Sequence, residues 1–254
     1  VYAARFEDLG VAASNCLLTG SMKWDSADIG TDGLAEGAER LAAELGIDRN
    51  RPLIVAGSTG PGEEALLHEA CPPGVQLLCA PRKPDRFEEA AAALPGCVRR
   101  TQPLTVGGMG GGSRQRFLLD TIGELRKAYS LASVVVVGRS FGDQYGSDPI
   151  EPIGLGKATV IGPAVSDFGA IVGAFVAAGG ILQTTRGELA AVLGSLLADE
   201  GRCRQLAERG RQCIRDHQGA SARHAVLLGS MVRTARGCGL RVREVCHWGC
   251  DRVG

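Results

Sequence analysis

The sequence has few aromatic residues and no excess of charge of either sign. Aromatic residues make up 4% of its 254 residues, and 28 basic residues balance 28 acidic ones. A nucleic-acid-binding surface usually shows as a basic excess, so this balance argues against a nucleic-acid partner. No apolar run reaches the roughly 18 residues that a membrane-spanning helix needs. We therefore expect a soluble globular α/β protein with a sizeable core.

The nine cysteines include no CxxC pair. Scattered cysteines without such spacing favour reduced thiols in a cytosolic protein. The set Cys238, Cys246, His247 and Cys250 could be considered as a metal site, but its spacing matches no common zinc motif. We expect no metal ion and no cofactor.

Short apolar runs alternate with helical patterns along the chain. The strongest runs are 53–56, 75–79, 133–137, 158–161 and 180–182, and weaker candidates are 97–100 and 116–119. Apolar runs of this length are typical of buried parallel strands. The alternation predicts a Rossmann-like, doubly wound parallel sheet of about six strands, with helices on both faces.

Helical patterns lie between and after these runs. They cover 34–45, 62–70, 85–94, 122–131, 167–178, 201–216 and 219–235. A further helix is predicted after Thr185 and Glu188, which have the spacing of a capping box. Ligands of such sheets bind beyond the carboxyl ends of the strands, so functional residues are sought in the loops that follow strands.

The first such loop is GSTGPGEE, residues 57–64. Its glycines and the following helix N-terminus would suit a phosphate or a carboxylate. Tight strand-to-helix turns also use glycine for steric reasons, and the pattern alone leaves both readings open. The other glycine-rich segment, VGGMGGG at 106–112, is too irregular for a nucleotide fingerprint and is interpreted as a linker.

The second loop is PRKPDR, residues 81–86, which follows the run at 75–79. Arginine can contact a carboxylate or a phosphate with two hydrogen bonds. The alternative is a solvated charge cluster, but cations are unfavourable at a helix N-terminus. We therefore interpret Arg82, Lys83 and Arg86 as lying where a ligand would bind.

Two further loops carry acids. In DTIGEL, residues 120–125, the pattern makes Asp120 a helix N-cap and Glu124 a first-turn acid, both structural. In DPIEP, residues 148–152, Glu151 falls in the first turn of a short helix. Its carboxylate could accept two hydroxyl hydrogen bonds there, such as those of a ribose.

Together these segments resemble the 3-deoxy-D-manno-octulosonic acid (Kdo) transferases of lipid A biosynthesis. That family has Thr-Gly-Asn-Leu-Lys-Phe-Asp, Gly-Ser-Thr-His-x-Gly-Glu-Glu, Pro-Arg-His-Pro-x-Arg, Asp-Thr-Met-Gly-Glu-Leu, Gly-Gly-Ser and Asn-Pro-Leu-Glu-Pro segments. Here they read, in the same order, TGSMKWD (19–25), GSTGPGEE, PRKPDR, DTIGEL, GRS (138–140) and DPIEP. The resemblance covers about residues 5–228. It implies one half of a two-Rossmann-domain (GT-B) glycosyltransferase.

The resemblance also implies a donor, CMP-Kdo, and the residues that bind it. The segment from Asp148 to Glu151 would contact CMP, with Glu151 toward the ribose. Arg82 would meet the phosphate or the sugar carboxylate. The full set of implied donor-binding residues is Ser58, Pro81, Arg82, Gly123, Glu124, Leu125, Ser140, Asp148, Pro149, Ile150 and Glu151. Gly123, Glu124 and Leu125 would line the cytidine through backbone groups, which replaces the structural reading of Glu124.

Several positions depart from the family pattern. The family histidines of the first two loops are Gly60 and Lys83 here, and two asparagines are Asp148 and Asp167. The acids bring negative charge near an anionic donor. Two alternatives therefore stay open: a GT-B transferase that uses a UDP-sugar, or a degenerate, non-catalytic nucleotide-binding module.

The predicted organisation is a linker or the end of a missing amino-terminal domain at 1–25, a nucleotide-sugar-binding domain at 26–236, and a tail at 237–254. The resemblance implies that the missing domain carries the acceptor site for a lipid A precursor, a membrane anchor and the catalytic glutamate. No residue of this chain is then catalytic. The full-length protein would lie at the cytoplasmic side of the inner membrane, and this fragment would be soluble and inactive alone.

Overall fold

The protein is described here by a computed structural model that covers residues 2–29, 33–102 and 115–235. The predicted linker at 106–112, the predicted tail at 237–254 and the candidate metal cluster of Cys238, Cys246, His247 and Cys250 lie outside the described residues. Within these ranges, no helix is long and apolar enough to cross a membrane. The same ranges contain no group of three or more His, Cys, Asp or Glu residues placed to hold a metal ion.

Within the described residues, seven strands form one sheet. They are β1 (Leu53–Thr59), β2 (Gln76–Pro81), β3 (Val98–Arg99), β4 (Arg116–Leu118), β5 (Val134–Val137), β6 (Ala158–Ile161) and β7 (Leu182–Gln183). Their order is β3-β4-β2-β1-β5-β6-β7, and every neighbouring pair is parallel. The predicted fold class is confirmed. The count is seven rather than about six because both weaker candidates, β3 and β4, pair with each other in parallel.

Except for the first one, at Tyr2–Asp8, the described helices occur where the sequence pattern predicts them, most of them shorter. They are α1 (Tyr2–Asp8), α2 (Ala38–Leu45), α3 (Glu63–Ala70), α4 (Phe87–Ala93), α5 (Leu125–Leu131), α6 (Ile150–Gly154), α7 (Gly169–Ala177), α8 (Leu189–Leu197), α9 (Glu200–His217) and α10 (Ala220–Ala235). Gly46 ends α2 in the left-handed conformation, as expected of a C-terminal glycine. Glu188 accepts a hydrogen bond from the backbone N–H of Thr185, which is one half of the predicted capping box.

The side chains of β1 alternate between two buried faces of the sheet. Ile54 and Ala56 belong to an apolar cluster that includes residues of α3, α4 and α8. Leu53 and Val55 are also buried, at 1% and 0% exposure, but lie outside that cluster. Helices α2 and α5 pack together, and α5 contacts β1. Alternation between two buried faces is what a parallel sheet covered on both sides requires.

The order of the strands also fixes where loops meet. The chain leaves β1 for β2 on one side and reaches β5, on the other side of β1, only later. In sheets of this class, such a reversal marks a ligand-binding crevice outside the carboxyl ends of the two strands, here β1 and β5. Because all strands are parallel, the loops after β1, β2, β4, β5 and β6 share one edge of the sheet. The candidate site lies at this carboxyl edge.

Within the described residues, the chain forms two compact units, one within 27–215 and the other made of 2–26 and 216–235. Helix α10, which the sequence analysis assigned to the sheet domain, belongs to the second of these. In that unit the Asp25 carboxylate accepts hydrogen bonds from the backbone N–H groups of Gly219 and Ser221, at 2.6 and 2.5 Å. These hydrogen bonds lower the pKa of Asp25. The motif at 19–25 therefore caps the start of α10.

Candidate functional site

A buried glutamate joins the loops that follow β1 and β5. Glu63, the first residue of α3, is 2% exposed. Its carboxylate accepts four backbone N–H hydrogen bonds, from Gly60 at 2.7 Å, Arg139 at 2.6 Å, Ser140 at 2.8 Å and Phe141 at 2.9 Å. A carboxylate with several N–H donors makes charge-assisted bonds, about twice as strong as neutral ones. Glu63 therefore clamps the two loops across the crevice.

This clamp bears on the predicted anion site in the first loop. The N–H of Gly60, one of the groups that would hold a phosphate, already donates to Glu63. The three consecutive N–H groups of the facing loop donate to the same carboxylate. The Glu63 carboxylate therefore binds N–H groups that, by the glycine-rich pattern, were expected to bind an anionic ligand. The three donors of the facing loop could not be predicted from the local pattern, because they lie at least 76 residues from Glu63 along the chain.

Two residues of these loops have backbone conformations that side chains rarely adopt. Ser58 has a φ of 56° and Arg139 a φ of 57°, both in the left-handed region. Such residues cost roughly 1–3 kcal/mol each and persist where the surroundings fix them. The contact between the two loops supplies that constraint. A Cβ atom on Gly138 would lie 2.6 Å from the Cα of Thr59, so the loops touch through their backbones.

Ser140, an implied donor-binding residue, is fully buried. Its hydroxyl donates to the carbonyl of Val137 at 2.6 Å and accepts from the N–H of Gly162 at 2.8 Å. The side chain thereby links the loop after β5 to the loop after β6. The prediction that Ser140 contacts the donor stays a prediction, but its hydroxyl is engaged within the protein.

The three basic residues of the second loop differ in exposure. Pro81 is buried at the end of β2, whereas the side chains of Arg82 and Lys83 are exposed at the carboxyl edge. The backbone N–H of Arg82 donates to the carbonyl of Thr59 at 3.1 Å, which fixes this loop beside β1. Arg82 therefore remains a candidate for binding an anion.

Arg86 was interpreted as lying where a ligand would bind, and this interpretation is wrong. Arg86 is 8% exposed and forms a two-bond ion pair with the buried Glu64, at 3.1 and 2.9 Å. It also donates to the carbonyl of Thr59 at 2.9 Å, and Thr59 donates its hydroxyl to Glu64 at 2.6 Å. The two acids after the first glycine loop thus have different partners, the loop backbone for Glu63 and a guanidinium for Glu64.

Asp120 is not the N-cap that its pattern predicted. Its buried carboxylate accepts hydrogen bonds from Arg99 at 2.8 Å and from the N–H of Thr101 at 2.9 Å. Burial raises the pKa of Asp120, but the hydrogen bonds from Thr101 and Arg99 outweigh it and lower the pKa. Asp120 therefore holds the end of β3 against the loop after β4. Helix α5 starts five residues later, too far for capping.

Glu124 lies immediately before α5, and its side chain faces a charged groove. The groove, of about 470 Å³, lies between α2 and α5 and is lined by Glu36, Gly37, Arg40, Leu41, Glu44, Arg100, Glu124 and Lys127. The Glu124 carboxylate accepts from Arg100 at 3.0 Å and from Thr121 at 2.8 Å. Cations and a hydroxyl occupy this carboxylate, and the contact of the donor with the backbone at 123–125 stays a prediction.

The loop after β5 ends in the short helix that carries Glu151. Asp148 accepts a hydrogen bond from the N–H of Ile150 at 2.9 Å, which starts α6. Pro149 and Ile150 are buried, whereas 41% of the Glu151 side chain is exposed. Burial raises the pKa of Glu151, and Arg126, 3.9 Å away, partly opposes that rise. Glu151 is thus a half-buried carboxylate at the carboxyl edge, and its side chain accepts no hydrogen bond from the part of the chain that the structure describes.

Tyr129 connects these predicted residues. It lies on α5 and is 2% exposed, and its hydroxyl reaches the carboxyl end of β1, where a methyl group on Gly57 would collide with it. Burial raises the pKa of the Tyr129 hydroxyl; the negative charges of Glu151 and Asp148 add to this, and Arg82 opposes it. The charges of Glu151, Asp148 and Arg82 therefore act on one buried hydroxyl at the carboxyl end of β1.

The structure thus brings most of the predicted residues to one edge of one sheet. Ser58 and Pro81 lie at the carboxyl ends of β1 and β2, and Arg82 follows β2. Ser140 and the segment 148–151 follow β5, and 123–125 leads into the helix that carries Tyr129. The sequence reasoning missed Glu63, Tyr129 and Arg139. The adjacent acids of GSTGPGEE were a signal for Glu63, since an acid at a helix start beside a glycine loop can bind that loop. No comparable local signal marks Tyr129.

No protein-family model matches the chain. A curated 3-deoxy-D-manno-octulosonic acid transferase from Bordetella pertussis is 31% identical over 217 residues, which cover 81% of this chain and 49% of that protein. A solved structure, the carboxyl-terminal CMP-Kdo binding domain of WaaA from Acinetobacter baumannii, is 26% identical with a TM-score of 0.61. The match covers 70% of this chain and 96% of that domain. The chain is related to the Kdo transferases.

This chain spans about half the length of the curated Kdo transferase that it matches. Its fold corresponds to the carboxyl-terminal domain of WaaA, as the resemblance implied. A more distant neighbour, Anabaena HepE solved with UDP and glucose, is 14% identical with a TM-score of 0.54 over 92% of this chain and 60% of HepE. That likeness shows the fold alone.

Proposed function

We propose that this chain is the donor-binding half of a Kdo transferase-like glycosyltransferase with CMP-Kdo as its donor. The observation that carries the proposal is that Arg82 follows β2 while Asp148 and Glu151 follow β5, so that all three belong to the carboxyl edge on either side of β1. Doubly wound sheets bind ligands at this edge, beside the strand where the order reverses. The relation to the Kdo transferases and to a CMP-Kdo binding domain supports the choice of ligand.

The donor would lie across the crevice with each part against a different loop. The backbone at 123–125 would contact the cytosine. Glu151 would accept hydrogen bonds from the ribose hydroxyls, and Arg82 would bind the phosphate or the sugar carboxylate. This arrangement uses the exposed cation and the open carboxylate of the edge and leaves the buried pairs of Glu63, Glu64 and Arg86 as support.

The reaction proposed for the whole protein is a transfer of Kdo to an acceptor hydroxyl. A bond forms between the acceptor oxygen and the anomeric carbon, the bond from that carbon to the phosphate oxygen breaks, and CMP leaves. Arg82 would stabilise the charge that develops on the leaving phosphate. The acceptor proton would pass to a base outside this chain, as the family resemblance implies. No metal ion is needed for these steps.

The remaining partners are proposed from the same relation. The acceptor would be a lipid A precursor, bound by the amino-terminal half of the whole protein. The whole protein would act at the cytoplasmic side of the inner membrane. Because this chain spans about half of its curated relative, we expect the 254-residue chain to bind donor and to transfer no Kdo.

Calorimetric titration of the 254-residue chain with CMP, UMP and cytidine tests the proposal. We expect CMP to bind more tightly than UMP, because the resemblance implies a backbone lining for cytosine, and more tightly than cytidine, which lacks the anion for Arg82. Tighter binding of UMP would point to a UDP-sugar as the donor. No binding of either nucleotide would mean that the site is degenerate, and would contradict the proposal.

A further inference from the structure

The loop after β5 presents a cation that the proposed donor site has not used. The backbone N–H of Arg139 is held by Glu63 at 2.6 Å, and its side-chain Nε donates to Oε1 of Gln144 at 2.9 Å. Among the described residues, its two terminal nitrogens have no hydrogen-bond or ion-pair partner. The Nε end of the Arg139 guanidinium is therefore held in place, while its two terminal nitrogens can still donate hydrogen bonds to a ligand.

This guanidinium stem lies over the first glycine loop. A Cβ atom on Gly60 would lie 2.9 Å from Oε1 of Gln144 and 3.4 Å from Cγ of Arg139. The space that a side chain at position 60 would occupy is thus filled by the pair from the facing loop. At these positions the Kdo transferase pattern has histidine instead of Gly60 and glycine instead of Arg139. Compared with the family pattern, the first loop lacks the histidine side chain at position 60, and the Arg139 side chain of the opposite loop lies in the corresponding space.

The backbone shows that Arg139 is held against its own preference. Its φ of 57° suits glycine, which the family pattern has here, and costs free energy with any side chain. A residue kept in such a conformation at a ligand-binding edge is a candidate for function. The cost would be offset if the side chain made a contact that glycine cannot make.

The position of Arg139 favours an anionic ligand. It directly follows β5, as Arg82 follows β2, and these two strands flank β1. A guanidinium with two open nitrogens can bind a phosphate or a carboxylate with paired hydrogen bonds, which a lysine cannot do. Asp148 adds a negative charge at the same edge, and the positive charge of Arg139, in addition to that of Arg82, compensates for it. We propose that Arg139 binds an anionic group of the donor and so helps to select it; this rests on the proposed function.

The test compares Arg139→Gly and Arg139→Lys with the wild-type 254-residue chain. Each variant is titrated with cytidine, CMP and CMP-Kdo, and its thermal stability is recorded. Arg204→Gln is the matched control, because Arg204 is 77% exposed and pairs only loosely, at 3.5 Å, with Glu200 on the surface of α9. It removes the same charge away from the edge, so its affinities should equal those of the wild type.

We expect Arg139→Gly to bind the anionic ligand at least about tenfold more weakly, the loss expected for a charged hydrogen bond. Its melting temperature should not fall, since glycine accepts the positive φ. Arg139→Lys should recover part of the affinity through its charge. If the affinity for CMP falls and that for cytidine does not change, Arg139 binds the phosphate. If the affinity for CMP does not change and that for CMP-Kdo falls, Arg139 binds the sugar carboxylate.

Unchanged affinity for both CMP and CMP-Kdo in Arg139→Gly would overturn the assignment. So would an equal loss for cytidine, because cytidine has no anionic group and its loss would report a distorted loop. These outcomes differ from failure of the proposed function. If the wild-type chain binds no CMP, the proposed function fails, and the assignment of Arg139 fails with it.

Discussion

The change Glu151→Gln separates a ribose-binding role for Glu151 from a purely structural one. The substitution keeps the shape of the side chain and removes its charge. As a first-turn acid of α6, Glu151 would favour the positive end of a helix by about 0.3–1 kcal/mol. As a ribose ligand, it would contribute mainly to nucleotide affinity.

The structure predicts the effect on stability. Burial raises the pKa of Glu151 above its ordinary value, and Asp148 adds to this, while Arg126 only partly opposes it. A carboxyl whose pKa is raised by folding stabilises the protein below its unfolded pKa, and this contribution is lost as the pH rises through the folded pKa. At neutral pH the charged form is therefore a cost. Glu151→Gln should leave the free energy of unfolding unchanged or slightly higher.

The effect on affinity should be large. A hydrogen bond to a charged group contributes about 1.5–3 kcal/mol, and glutamine retains at most a neutral one to the ribose. The expected loss of CMP affinity is therefore about 10- to 150-fold. A CMP analogue without the two ribose hydroxyls should bind wild type and variant almost equally, because it cannot use the carboxylate.

Calorimetry with both ligands and urea denaturation of both proteins measure these effects. Glu200→Gln is the matched control, because Glu200 is also a first-turn acid, in α9, and its side chain is 89% exposed. It should show the small dipole effect on stability and no effect on CMP. Equal CMP affinity in wild type and Glu151→Gln would refute the ribose contact and remove the main reason for placing the donor at α6.

Three further predictions concern the support of the site. Glu63→Ala removes four N–H hydrogen bonds and leaves the donors of two loops unpaired. It should lower the free energy of unfolding by about 3–5 kcal/mol in urea denaturation and weaken CMP binding. A loss of stability below about 1 kcal/mol would contradict the role of Glu63 in joining the loops. Glu64→Gln removes the buried charge partner of Arg86 and leaves only Glu89, which is 56% exposed. It should cost about 1.5–3 kcal/mol by the same assay, against about 0–1 kcal/mol for Arg204→Gln in an exposed pair. Burial raises the pKa of Tyr129, so its hydroxyl stays protonated in the folded state. Any advantage in free energy of unfolding that wild type has over Tyr129→Phe should therefore be lost as the pH rises above about 10. An advantage that grows with pH would show that the pKa is shifted in the other direction.

The strand pattern could be predicted because it depends on local apolar runs. Each parallel strand is buried on both faces, so β1 and β5 read as continuous apolar segments, and even the short β3 and β4 were recognisable. The resemblance then identified the loops that follow the strands. The location of the candidate residues at one edge follows from the parallel sheet alone.

The partners of the buried charged groups could not be predicted. Arg86 and Arg82 lie in the same basic segment, yet one is bound to Glu64 and the other is exposed. Asp120 has the local pattern of an N-cap, but Arg99 and Thr101, brought beside it by the pairing of β3 with β4, bind it instead. Such choices depend on which strands become neighbours, and no local pattern encodes that.

A crystal structure of the 254-residue chain with CMP tests the central claim most directly, through the distances from the Glu151 carboxylate to the ribose oxygens. We predict that both hydroxyl oxygens lie within about 2.5–3.0 Å of that carboxylate, the range for O–H···O hydrogen bonds. The cytosine should lie against the backbone at 123–125, and the phosphate toward Arg82 or Arg139. CMP bound elsewhere, such as in the groove between α2 and α5 that Glu44 and Arg100 line, would contradict this account.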